Sequence, residues 1–224
     1  MHNLKKSEIE QTPVDHGLRA RGKRERRRRL REAARAVFLE RGYERATTRE
    51  IAARADVSVG TLFVYAPEKR DLLFLVSNDD LDAIVSSAVL EISHKQPVLE
   101  QLLSIFRPVY DYFERHVVIG RYGMPEILLM QVDRVETLGP EAKRVIDRRH
   151  KLLQAIAQVV DRARKGKRLS TPERGDEIAE LLLWLHWCNV QSWISVKSPK
   201  AELGLKRLKR LFNTVIKGLG PKEG

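Results

Sequence analysis

Cysteine is almost absent from this chain. Cys188 is the only one among 224 residues, so no intrachain disulfide can form, and a reducing, cytoplasmic setting is expected. Its apolar helical surroundings predict a buried, inert thiol. A membrane-spanning segment is also missing, because no run of about 18 uncharged apolar residues occurs. The nearest approach, residues 178–196, contains Glu180, His186, Asn189 and Gln191. The N-terminal stretch is polar and basic and lacks the apolar core of a secretory signal. No apolar–polar alternation is long enough for a sheet, and no internal repeat is visible.

Catalytic patterns are missing too. There is no nucleophile–base pairing, no metal-ligand spacing and no phosphate-binding loop, which argues against an enzyme and against a cofactor. His116, His150 and His186 share no i, i+4 spacing and no cysteine pair accompanies them, so they read as polar groups in a core or pocket rather than metal ligands. Acidic residues are in short supply: 30 Asp+Glu face 42 Lys+Arg, a formal net charge of +12. The first 75 residues carry 18 Lys+Arg against 11 Asp+Glu, so most of the surplus per residue lies there. Such a balance favours polyanions, nucleic acid ahead of an anionic membrane.

What the chain does have is helical periodicity. Residues 1–21 show none and read as a disordered basic tail. Residues 22–41 place Leu30, Ala33, Ala34, Val37 and Phe38 on one face and a run of arginines on the other, with Gly42 as a C-cap. Thr47 and Glu50 predict a capping box that opens a second helix with the small apolar face Ile51, Ala52 and Ala55. Asp56 sits where the chain must turn with positive φ. Ser58 caps a third helix that Pro67 ends, and Glu68 begins a fourth, reaching about residue 93. Beyond Pro97, helices are expected over residues 98–117, 126–135, 140–164, 171–197 and after Pro199. Gly120, Gly123 and Pro125 are read as interruptions, and Thr171-Pro172 as a helix start.

Two short helices split by a tight turn, behind an arginine-rich helix, form a unit suited to the major groove of DNA. In the brief third helix, Gly60 permits close backbone approach. Thr61 offers a hydroxyl to phosphate and a methyl to thymine, and Phe63 an apolar face to a thymine methyl. Tyr65 can set its hydroxyl on a phosphate. Thr48 and Arg49 point the same way, and Lys69 adds a cation at the start of the next helix.

The stretch RLREAARAVFLERGYERATTREIAARADVSVGTLFVYAPEKRDLL resembles the TetR family of bacterial transcriptional regulators. It covers about a fifth of the chain. The resemblance implies an all-α protein with an N-terminal three-helix helix-turn-helix DNA-binding domain, residues 22–67, and a C-terminal helical effector and dimerisation domain, residues 68–224. It implies a homodimer on a double-stranded operator, with phosphate contacts by Thr47, Thr48, Tyr65 and Lys69. Base or groove contacts fall to Arg49, Val59, Gly60, Thr61 and Phe63. Departures from the family pattern occur at Asp56, where Gly is frequent, at Phe63, where Tyr is usual, and at Ala66-Pro67.

The last two helices are the dimer candidates. Residues 178–196 are apolar on more than one side, and Leu208, Leu211, Phe212, Val215, Ile216 and Leu219 form a stripe. An apolar effector pocket is expected among Phe106, Tyr110, Phe113, Met124, Met130 and Trp184. The leading reading is a repressor released from its operator by a small apolar or amphipathic effector. An architectural DNA-binding protein without an effector shares the N-terminal unit, and the ratio of specific to non-specific affinity separates the two. A membrane-surface protein leaves the helix-turn-helix unexplained.

Overall fold

The computed structural model describes residues 13–130 and 138–218. Among the described residues the chain forms nine helices and no strand: α1 Pro13–Arg45, α2 Thr48–Arg54, α3 Val59–Tyr65, α4 Lys69–Leu90, α5 Val98–Arg115, α6 Val117–Leu128, α7 Pro140–Lys165, α8 Gly175–Ile194 and α9 Ala201–Lys217. None is long and apolar enough to cross a membrane.

Local chemistry sets the head. Gly42 takes φ 75°, which breaks the helical path of α1 and turns the chain toward α2. Thr47 caps α2 by accepting from the Glu50 amide at 3.1 Å. The return half of the expected capping box is not made, because the Glu50 carboxylate pairs with Arg41 at 3.1 Å instead. Asp56 has φ 52° in the turn, as its position demanded. Ser58 Oγ then accepts from the Thr61 amide at 3.0 Å to start α3. Leu30, Val37 and Phe38 of α1, Ile51 and Ala52 of α2, and Leu62 of α3 close into one buried cluster.

That cluster continues past residue 67. Leu72, Leu73, Leu75 and Val76 of α4 belong to the head core, whereas Leu81 and Val85 belong to the larger core of α5, α7, α8 and α9. With 22 residues, α4 spans about 33 Å at 1.5 Å per residue. It is thus a shared wall between head and body.

Four expectations need correction. The helix expected from residue 22 begins at Pro13. Its first turns have no apolar stripe for periodicity to detect, so residues 13–21 are helical rather than tail, and residues 1–12 lie outside the described part. The chain is not interrupted at Gly120, Gly123 and Pro125; all three lie inside α6. Gly120 is there because α6 runs tight against α5 and α8: a Cβ on it would come 2.8 Å from the Phe113 ring and 3.2 Å from Ile194. The helix expected at 126–135 therefore starts nine residues sooner, and residues 131–135 lie outside the described part. Finally, α8 starts at Gly175, not at Thr171. The Thr171 hydroxyl accepts from the Glu173 amide at 3.3 Å in a local turn, and Glu177 accepts from the Arg174 amide at 2.9 Å to cap the helix. Leu219 of the expected α9 stripe lies outside the described residues.

Candidate nucleic-acid interface and effector region

Helices α2 and α3 each bury one side and expose the other. Ile51, Ala52 and Ala55 of α2 and Leu62 and Tyr65 of α3 face the core. Arg49, Gly60 and Phe63 are exposed on the opposite sides, with Val59 and Thr61 partly covered. Phe63 is 43% exposed and Val64 70%, so a seven-residue helix holds two large apolar side chains in water. Neither adds to the core. Chemically, both could cover an apolar partner such as a thymine methyl. Val64 was not among the expected contacts, because nothing in its spacing separates it from a core valine.

Hydroxyls and cations frame this apolar tip. Thr47 is exposed and Thr48 is partly so. The Thr47 Oγ accepts an amide proton, but its own O–H remains a donor, so capping and phosphate binding are compatible. Ser58 and Thr61 hydroxyls lie 2.9 Å apart. Lys69 Nζ donates to the Glu44 carbonyl at 3.0 Å and lies 4.6 Å above the Tyr43 ring. Two contacts therefore hold its charge at the α1–α2 corner, and two of its three donors stay available. Burial, with the nearby carboxylates of Glu126 and Glu44, pushes the Tyr43 hydroxyl up to about 12, so it stays neutral under that ammonium.

Tyr65 departs from its expected role. It is 7% exposed, inside the head core, and its hydroxyl donates to the Lys23 carbonyl at 3.3 Å. It serves as a strut between α3 and α1, which no local pattern could show because its partner is 42 residues away.

The six residues expected to line one pocket do not gather around one. Phe106 and Tyr110 are packed solid: the His186 ring stacks on Phe106 at 4.1 Å, and Asn189 donates to the Tyr110 hydroxyl at 2.6 Å. Phe113 and Met124 line a crevice of about 40 Å³ with Arg148, His186 and Trp187. Met130 and Trp184 line a neighbouring one of about 50 Å³. The two share the walls Ile127, Val145, Arg149 and Trp187. Trp184 is 45% exposed, and Cys188, expected to be buried, is exposed one turn further along α8. A roomier cleft, about 440 Å³, lies between Leu102, Val160, Leu182 and Val215.

Unpaired buried polar atoms mark the inner crevices. His186 Nδ1 and Arg149 Nε have no partner among the described residues. Burial pushes the His186 imidazole down to about 3, so it is neutral and offers one donor and one acceptor. Arg148 is buried, which lowers its pKa, yet it donates from Nη1 to Asn78 and Asp82 of α4. From there a chain of ion pairs runs to the head. Arg144 reaches Asp82 at 2.7 Å and Asp79 at 2.8 Å. Asp79 in turn accepts from Arg27 of α1 at 2.8 Å and from Arg31 at 2.7 Å. Burial would raise the Asp79 pKa, but Arg27 and Arg144 outweigh it and hold the carboxyl at about 2.

This geometry coincides with a known sequence pattern. The family described as "Bacterial regulatory proteins, tetR family" matches residues 30–76, which run from α1 through the first two turns of α4.

Over these residues the chain is similar to the TetR family. Over 56 residues it is 46% identical to the HTH-type transcriptional repressor KstR of Mycolicibacterium smegmatis and equally so to KstR of Mycobacterium tuberculosis, covering 25% of this chain. The matched part spans 28% and 26% of the length of those relatives. The likeness of the whole fold reaches further. The crystal structure of Thermus thermophilus FadR in complex with lauroyl-CoA superposes with a TM-score of 0.68 at 22% identity, over 88% of this chain and 97% of that one. Bacillus subtilis FadR in complex with stearoyl-CoA gives 0.64 at 13% identity, over 86% and 98%. The fold of these structures, a three-helix head on a helical body, is thus shared by this chain from α1 to α9.

Proposed function

We propose that this TetR-family chain is a homodimeric transcriptional repressor that leaves its operator when an amphipathic small molecule enters its body. The observation that carries the DNA half is the reader surface: exposed Gly60, Phe63 and Val64 set between the Thr47 and Thr61 hydroxyls and the Arg49 and Lys69 cations. The relatives matched over this region are repressors by name. Val59 adds a groove contact and Thr48 a phosphate contact in this reading.

Dimerisation is assigned to α8 and α9. Leu181, Trp184 and Cys188 form an exposed stripe on α8, with partly covered Ile178 and Leu185 beside it. Such a face is costly in water and is covered when two copies pair.

The inner crevices between α6, α7 and α8 are assigned to the effector. Their apolar walls suit a hydrocarbon, and His186, Arg148 and Arg149 suit its polar end. Volumes of about 40 and 50 Å³ cannot hold such a molecule, so binding must part these helices. Moving α7 pulls on Arg144 and Arg148, and through Asp79 on Arg27 of the head. Differential affinity for the parted and closed shapes is what makes ligand and DNA oppose each other. The solved relatives named with lauroyl-CoA and stearoyl-CoA make acyl-CoA esters the first probes. Titrating them, graded by chain length, into a complex with a labelled operator is expected to lower DNA affinity. If no amphiphile changes it, the sensing half of the proposal fails and the DNA half stands.

A further inference from the structure

The front of α1 carries a feature that the helix-turn-helix does not absorb. Positions 19, 23, 26, 30, 33, 34 and 37 fall on one face at helical spacing. Downstream this stripe is Leu30, Ala33, Ala34 and Val37, all buried on the head. Upstream it is Arg19, Lys23 and Arg26, and there Lys23 and Arg26 are exposed. The side of α1 that packs on the head therefore continues past it as a basic edge.

Two contacts set that edge beside the reader helix. The Tyr65 hydroxyl binds the Lys23 carbonyl at 3.3 Å, and Arg29 pairs with Asp56 at 3.0 Å in the turn before α3. So α1 runs alongside α3, with Arg29 level with its start and Lys23 level with its end. On the other faces of α1, Arg21 and Arg24 are exposed, whereas Arg27, Arg28 and Arg31 are engaged. Arg27 and Arg31 reach Asp79, and Arg28 pairs with Glu25 and Glu32 of its own helix. Lys23 and Arg26 have no ion-pair partner among the described residues.

We infer that this edge, through Lys23 and Arg26, lies along the phosphate backbone flanking each half-site and extends the DNA contact beyond the helix-turn-helix. The occupant is duplex DNA because the edge is cationic and continuous with the reader surface. The inference rests on the operator-binding reading of the head.

Salt dependence tests it. Duplexes are first selected from a random pool by the full-length wild-type protein. The slope of log affinity against log salt is then measured for wild type, for K23A/R26A and for R28A. Each phosphate contact contributes about 0.9 to the slope, so K23A/R26A is expected to be shallower by about 2 per subunit, with its base preference intact. Alanine favours helix, so the change does not unwind α1. R28A removes a charge from the opposite face and is expected to keep the wild-type slope. Equal slopes for K23A/R26A and wild type would overturn the inference. So would an R28A effect of the same size per charge, which marks net charge alone. If wild type selects no duplex at all, the operator reading falls, and this inference with it.

Discussion

Tyr65 shows how one residue's role can turn on a distant partner. As a phosphate contact its neutral hydroxyl would add about 1 kcal/mol of DNA affinity at any fixed salt. As a strut to the Lys23 carbonyl it adds only stability. Tyr65→Phe is therefore expected to cost about 1 kcal/mol in denaturant unfolding and to leave DNA affinity at fixed salt unchanged. An affinity loss of about five-fold at fixed salt, equivalent to about 1 kcal/mol, with unaltered stability would restore the phosphate role. His186 makes a second prediction at this scale. The unfolded imidazole takes up a proton near 6.5 and the folded one only near about 3. Its contribution to stability is complete above 6.5 and drains away as pH falls toward 3, by at most about 1.4 kcal/mol per pH unit. His186→Phe should flatten the stability profile between about pH 6 and pH 4 relative to wild type; parallel profiles would show that the imidazole is not kept neutral by burial. Residue roles set by neighbours within a few positions were legible in the sequence. Thr47 and Ser58 cap the helices they were expected to cap, and Asp56 takes its positive φ, because each acts on backbone within three residues. Tyr65 and Cys188 were misread because their surroundings come from other helices.

Elements were legible where a stripe and a stop signal agree, as in α5, α7 and α9, and misplaced where a stop signal served another end. Gly120 reads as a breaker, but in α6 its missing side chain is what lets Phe113 and Ile194 approach. Gly120→Ala should therefore destabilise by about 1–3 kcal/mol through overpacking, measured by thermal or denaturant unfolding. A neutral or stabilising result would return Gly120 to the status of a chance helix residue. The ionic chain between α7, α4 and α1 was invisible in the sequence, because Arg144, Asp79 and Arg27 carry no pattern that pairs them. Its role in signal transfer is testable with Arg144→Met, which removes the charge while keeping much of the aliphatic stem. Effector binding, followed by tryptophan fluorescence, should persist, while the effector-induced loss of operator affinity should shrink several-fold. A full response in this variant would remove the ion pairs from the transmission route.

At the scale of the whole molecule, head and body are joined by α4, whose first turns lie in the head core and whose later turns lie in the body core. The helical architecture of the three-helix head was legible in residues 22–67, since capping, turn and apolar spacing are local. The split effector crevices were not, because six well-placed apolar side chains give no sign of whether they meet a void or each other. A twofold pair of heads requires DNA half-sites about 34–36 Å apart, one helical turn, or a multiple of that spacing. The most direct measurement of the central claim is the affinity of the purified full-length chain for a duplex it has selected, against the same duplex with scrambled base order, at fixed physiological salt, with the protein's mass in the complex determined in parallel. The account predicts two or a multiple of two chains per duplex and a preference of at least about 1,000-fold for the selected sequence. A single chain that binds both duplexes equally would contradict it.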